Sequence, residues 1–211
     1  MFRRHHASPR LGFISVALVT GIGIATAPGC SDPEQATPKL AFESEVSSGS
    51  HKSTECGKTG TWFTIGSFGT PALGRENPDD PESPLKDPPK PVESGAAEQQ
   101  GSVSISCSVI AAGDAFEVKA HAELTGATGG AVTIQGTFGK SGDQTGITVA
   151  LTKRGETYTD NNCTATYDTA IGQAVAAGRV WAEVRCDNAA YSSAQQVCAS
   201  RAQFRFENCA Q

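Results

Sequence analysis

This 211-residue sequence predicts an all-β domain, folded as an antiparallel sandwich or a partly open barrel and stapled by three disulfides. Three observations carry that prediction. Apolar and polar residues alternate with period two over long runs, the pattern of strands buried on one face. Glycine and proline clusters separate these runs, with 23 Gly and 11 Pro in the chain. Seven cysteines accompany only 38% hydrophobic residues, the composition of a modest core reinforced by covalent bonds. With 18% charged residues and a net charge of −5, the chain is neither a coiled coil nor a basic nucleic-acid binder.

The chain opens with Arg3, Arg4 and Arg10 and no acid among its first ten residues. Residues 11–29 are uncharged: Leu11, Phe13, Ile14, Val16, Leu18, Val19, Ile22 and Ile24 form an apolar run that closes in the small residues Ala25, Ala27 and Gly29. That is the layout of a secretory signal, assigned here to 1–29. Its Gly-, Thr- and Pro-rich second half argues against a membrane span. Ala25-Thr26-Ala27 has the form of an ordinary cleavage site, but Pro28 would follow the cut, and its fixed φ and missing N–H suit that place poorly. Ala27-Pro28-Gly29-Cys30 resembles the lipobox of bacterial lipoproteins, although Leu is usual where Ala27 stands. The resemblance implies a diacylglyceryl group on the Cys30 thiol, which then becomes the N-terminus. Cysteine number agrees: seven is odd, and removing Cys30 leaves Cys56, Cys107, Cys163, Cys186, Cys198 and Cys209 to pair.

Residues 30–55 are rich in Ser, Thr, Pro and Glu and read as a flexible, disordered tether. The disulfide-linked domain is expected over 56–211. Its first strand is 61–68 (TWFTIGSF), by aromatic and β-branched content. The acidic, Pro-rich stretch 76–95 cannot build a core and reads as a disordered, extended insert. Clean alternation follows. Val103, Ile105, Cys107 and Val109 share one face of 101–110; Phe116, Val118, Ala120, Ala122 and Leu124 share one face of 115–124; Ala111–Asp114 joins the two as a hairpin. Further strands are predicted over 131–138, 146–152, 162–167, 179–186 and 201–207, with turns at 126–130, 139–142, Gly155 and Asp187-Asn188. Residues 169–178 allow a short helix limited by Gly172 and Gly178.

The leader and Cys30 are similar to those of bacterial lipoproteins. The segment around Cys107, with a last strand ending at Cys209, faintly resembles small β-sandwich lipoproteins of bacterial envelopes. Thr64-Ile65-Gly66-Ser67-Phe68-Gly69 also looks like a strand preceding such a domain in uncharacterised lipoproteins. These resemblances imply a location and a fold but no activity.

Motifs for chemistry are sparse. After the leader only His51 and His121 remain, His51 in the tether and His121 on a polar strand face between Lys119 and Glu123. No His-x-His, His-x3-His or Cys-x2-Cys spacing suggests zinc, and neither a G-x-S-x-G elbow nor a phosphate-binding loop occurs. Asp143, Asp160, Asn161 and Asn162 read as turn residues rather than a calcium loop. Neither metal nor cofactor is expected, and the domain is expected not to be an enzyme. Trp181 falls on the polar face with Arg179, Glu183 and Arg185, where an aromatic contacts a glycan or protein, is covered by the insert or a nearby loop, or marks a register slip at a bulge.

The expected function is a lipid-anchored envelope protein, at the outer membrane or cell surface, whose non-catalytic β domain binds or scaffolds another envelope protein or glycan. The expected partners are the membrane, through lipid on Cys30, and that component, with no nucleic acid. The alternatives are a secreted adhesin or matrix protein and a secreted hydrolase on a β scaffold. From strand ends and loop lengths, the expected disulfides are Cys186–Cys198, Cys163–Cys209 and Cys56–Cys107, the last two open to an exchange of partners.

Overall fold

A computed structural model describes residues 36–49, 56, 60–69, 90–191, 193 and 196–211. Cys30, the leader, and 76–89 of the Pro-rich segment lie outside the described residues. The strands are β1 (Lys39–Ser47), β2 (Phe63–Ile65), β3 (Val92–Glu93), β4 (Ala97–Glu98), β5 (Gly101–Ala112), β6 (Ala115–Leu124), β7 (Gly130–Gly139), β8 (Gln144–Lys153), β9 (Glu156–Thr166), β10 (Ala174–Ala176), β11 (Arg179–Tyr191) and β12 (Gln196–Glu207). They form one antiparallel sheet in the order β2-β1-β12-β11-β9-β8-β7-β6-β5-β4, with β10 on β11 and β3 on β1.

Eight of these strands are long, and the sheet they form curls into a nearly closed barrel. The rings of Phe138 on β7 and Phe204 on β12 meet edge to face at 6.2 Å, although three strands separate them in the sheet. They touch across the interior. Eight strands leave an interior just wide enough for side chains. Here Leu40, Phe42, Leu124, Ile134, Phe138, Ile147, Leu151, Phe204 and Phe206 occupy it, all essentially inaccessible to water. The predicted alternation supplies these inward residues: β6 is buried at every second position from Phe116 to Leu124.

The seam between β1 and β5 is closed by irregular chain. β3 pairs with β1 at Lys39↔Glu93 and Leu40↔Val92. The residues after it satisfy the free edge of β5: Ser94 Oγ accepts from Ile105 N at 3.0 Å, Gly95 N donates to Val103 O at 2.7 Å, and Val103 N donates to Ala96 O at 3.0 Å. Further along, Ala210 N donates to Cys107 O (3.0 Å), Val109 N to Ala210 O (2.9 Å) and Gly178 N to Val109 O (3.1 Å). Every second residue of β5 from Val103 to Val109 thus has a partner on its outer edge, which removes the template for pairing with another chain.

All three expected disulfide pairings are corrected. The bonds are Cys56–Cys198, Cys107–Cys209 and Cys163–Cys186. The cause is three-dimensional. Asp187-Asn188 is not a turn; it is a bulge through which β11 continues to Tyr191, so Cys186 faces Ser200 and Cys198 faces Ala189. On its other side β11 pairs with β9, at Arg185↔Thr164, and the next step of that ladder brings Cys186 to Cys163. Barrel closure lays the C-terminal segment along β5, which brings Cys209 to Cys107.

Other expectations are also corrected. The segment assigned as tether contains β1, whose alternating Leu40, Phe42, Ser44 and Val46 are buried and which pairs with β12 over its whole length. The end of the expected insert is part of the fold: Lys90 bridges Ser67, and β3 follows. In place of a helix over 169–178 there is one 3-10 turn, Thr169–Ile171, capped by Asp168 and ended by Gly172 at φ 84°, and then β10. Asp160 is not a turn residue. It is buried in β9, where Oδ1 accepts from Asn162 N and Oδ2 from Asn188 N, both at 2.9 Å. One carboxylate thereby holds the irregular part of β9 against the β11 bulge, beside the Cys163–Cys186 bond.

Candidate functional site

The β11 alternation places Val180, Ala182, Val184 and Cys186 inside and Trp181, Glu183 and Arg185 outside, as the sequence predicts. Trp181 is nonetheless partly covered. Phe68 lies nearly parallel to its ring, with centroids 6.4 Å apart and planes inclined by 22°. The Ser67–Lys90 bridge holds Phe68 there, and Phe68 is itself buried. The cover is therefore the short segment following β2, one of the possibilities the sequence leaves open. Arg205 stands opposite Trp181 on β12, with its guanidinium carbon 4.8 Å from the ring centroid, within the range of a cation–π contact. Arg205 Nε and Nη2 donate to Glu207 Oε1 at 2.9 and 2.6 Å, which fixes the guanidinium over the ring.

Beside this stack lies a small cleft of about 90 Å³, bordered by Gly172, Ala174, Arg179, Trp181, Arg205 and Glu207. The left-handed turn at Gly172 keeps the rim low: a Cβ there would come within 3.7 Å of the indole. Trp181 Nε1 is shielded from solvent and has no hydrogen-bond partner among the described residues. Such a buried donor costs about 1–3 kcal/mol. The cleft joins an aromatic edge to a guanidinium fixed by Glu207 and to the exposed Arg179, a combination suited to an amphipathic group carrying an acceptor.

Farther along the same wall, Arg201 grips Glu183 with two hydrogen bonds of 2.6 Å, beside Glu43 and Glu45. The hydrogen bond and charge of Glu183 raise the pKa of Arg201. Tyr167 donates its hydroxyl to Gly139 O at 3.0 Å, and burial pushes its pKa up to about 12.

His121 sits exposed on β6 with Nδ1 3.0 Å from Thr133 Oγ1; Ser106 is its cross-strand neighbour on β5. Asp160, Cys163 and Cys186 bring ligand atoms within 4.8 Å of one another, but both sulfurs are spent in a disulfide and both carboxylate oxygens accept backbone N–H groups. Asp143 lies in the β7–β8 connection, and Asn161 and Asn162 lie within β9. Sequence reasoning missed Phe68 and Arg205 as partners of Trp181; the outward position of Arg205 in β12 was the available signal.

No family model, curated protein or solved structure matches the chain. The fold and the geometry of its surface therefore carry the functional argument. The three disulfides are consistent with an exported, non-cytoplasmic protein.

Proposed function

We propose that this chain is a lipid-anchored protein of a bacterial envelope, held by a diacylglyceryl group on Cys30, whose non-catalytic barrel binds or scaffolds another envelope protein or glycan. One observation carries the reading: six of the seven cysteines pair with one another inside the barrel, so the disulfides leave over only Cys30, the residue that follows Gly29 at the end of the apolar leader. The Trp181 cleft is the proposed contact surface, because it couples an aromatic ring to the guanidinium of Arg205 and the exposed Arg179.

The test is export of the full chain in a bacterium fed a labelled fatty acid, followed by detergent phase separation and intact mass. The wild type should carry label and enter the detergent phase, and Cys30→Ala should lose both properties. An aqueous-phase wild type with a free thiol and an N-terminus at Pro28 would refute the anchor and leave the secreted adhesin. Crosslinking in intact cells tests the contact surface: Trp181→Ala should lose adducts that Trp62→Phe retains.

A further inference from the structure

A second hollow, of about 370 Å³, lies away from the Trp181 cleft and shares none of its residues. Thr61, Thr64, Gln99, Thr128, Lys153 and Arg154 line it, above the buried Trp62. Four separate segments meet there: the approach to β2, the β4–β5 turn, the β6–β7 loop and the β8–β9 turn.

Both turns have an unusual backbone. Glu98 pairs with Gly101 across Gln99 and Gln100, at φ 45° and 68°. Lys153 pairs with Glu156 across Arg154 and Gly155, at φ 51° and 83°. Positive φ at both central residues is the type I′ requirement, which Asn and Gly meet at little cost. Gln and Arg bear a steric penalty there. For Gln99 the structure supplies a reason: Nε2 donates to Thr64 O at 3.1 Å and to Thr64 Oγ1 at 3.0 Å, covering the free edge of β2. Lys153 Nζ likewise donates to Trp62 O, just before β2. Arg154 has no such reason. It is exposed and makes no hydrogen bond or ion pair with the described residues. A strained position thus carries a cation with no partner among the described residues, at the rim of a hollow furnished with three hydroxyls, an amide and a second cation.

We propose that this hollow is a binding site for an acidic saccharide, with Arg154 holding the carboxylate. Thr61 donates its hydroxyl to Glu43 Oε1 at 2.7 Å and so offers an acceptor, as does the amide oxygen of Gln99, while the hydroxyls of Thr64 and Thr128 have protons to donate to a sugar. The guanidinium supplies the paired donors that a carboxylate takes. The proposal is independent of the anchor and of the Trp181 surface.

Calorimetric titration of the full-length protein in detergent micelles with trigalacturonate, maltotriose and sodium sulfate tests it. Trigalacturonate should bind, and maltotriose and sulfate at equal concentration should not. Arg154→Gly removes the charge and relieves the backbone, so affinity should fall about tenfold or more while the melting temperature holds or rises. Arg154→Lys should recover part of the affinity. Equal binding of maltotriose, equal binding of sulfate, full affinity in Arg154→Gly, or a lowered melting temperature in that variant would each overturn the proposal, the last by showing Arg154 to be structural.

Discussion

Replacing Cys107 and Cys209 together by alanine removes the covalent bond across the barrel seam. The direct loop between them spans 102 positions. The unfolded chain, however, has a shorter path through the Cys56–Cys198 bond: from 107 back to 56, across the disulfide to 198, and on to 209. That circuit is about 60 residues, and closing it corresponds to about 4 kcal/mol in the chain-entropy model. Breaking Cys163–Cys186, with its separation of 23, corresponds to about 3.5 kcal/mol, so magnitude alone hardly separates the two bonds. Location does. The seam bond sits between Ala210 N→Cys107 O and Val109 N→Ala210 O, and Cys209 N itself donates to Gly178 O. Without it the C-terminal segment is a short tail held by a few hydrogen bonds. Urea unfolding of the double variant should show the loss of about 4 kcal/mol, and amide exchange should accelerate at Val109, Cys209→Ala and Ala210 while Val118 and Ala120 on β6 stay protected. A loss below about 1 kcal/mol with Val109 still protected would refute the view that this disulfide holds the seam.

Asp160→Ala leaves the amides of Asn162 and Asn188 without their buried charged acceptor, and should cost about 3 kcal/mol in urea unfolding with disulfides intact; a loss under about 1 kcal/mol would contradict its bracing role. Gly101→Ala should cost at least about 2 kcal/mol, because the new Cβ would sit 1.8 Å from Thr125 O, a backbone atom that must move; an unchanged melting temperature would show that the β5–β6 end yields freely. Tyr167 is neutral when folded and its pKa is raised to about 12 from 10.0, so the unfolded chain loses its proton first and stability falls as pH rises through that interval. After discounting for partial exposure the loss is about 1–2 kcal/mol. Tyr167→Phe should flatten that alkaline fall, and an identical fall in the variant would sink the assignment.

Local pattern and three-dimensional closure were unequally legible. β5 and β6 could be read residue by residue, because ten positions of strict alternation leave one way to face a core. β1 was missed although Leu40, Phe42 and Val46 alternate, because Ser44 interrupts the apolar series and the flanks are Ser- and Glu-rich. Ser44 is buried in the structure because its hydroxyl donates to Phe63 O at 3.3 Å, a partner supplied by β2 from a distant part of the chain. Asp187-Asn188 reads as a turn from residue type. In the structure a bulge stands there instead, with Asn188 N donating to the Asp160 carboxylate 28 positions away. The disulfides fail for the same reason: their pairing depends on that bulge and on the seam, and neither is encoded within one segment. At the candidate site the outward position of Trp181 was legible, but its cover by Phe68 was not. Gly155 marked its turn, while the left-handed backbone of Arg154 left no trace in the pattern.

The direction in which this barrel faces narrows what it can do. A barrel that crosses a membrane turns apolar residues outward and polar ones toward its lumen. Here the order is reversed: Phe116, Val118, Ala120 and Ala122 of β6 point inward, and Glu117, Lys119, His121 and Glu123 are exposed. The wall therefore faces water, and attachment to a membrane needs a group outside the barrel, the place that the proposed lipid on Cys30 would fill. The interior is equally committed. Phenylalanines from β1, β7 and β12 occupy it, with Phe138 and Phe204 meeting across it, so a ligand entering there would have to displace core side chains. Recognition is left to the outer wall and to the turns at the strand ends. Those are the places where the molecule keeps costly features: at Trp181 an indole N–H with no partner among the described residues, and at Arg154 a non-glycine left-handed residue. A barrel selected for stability alone would shed both. The cleft and the hollow beside them are accordingly where binding should be sought.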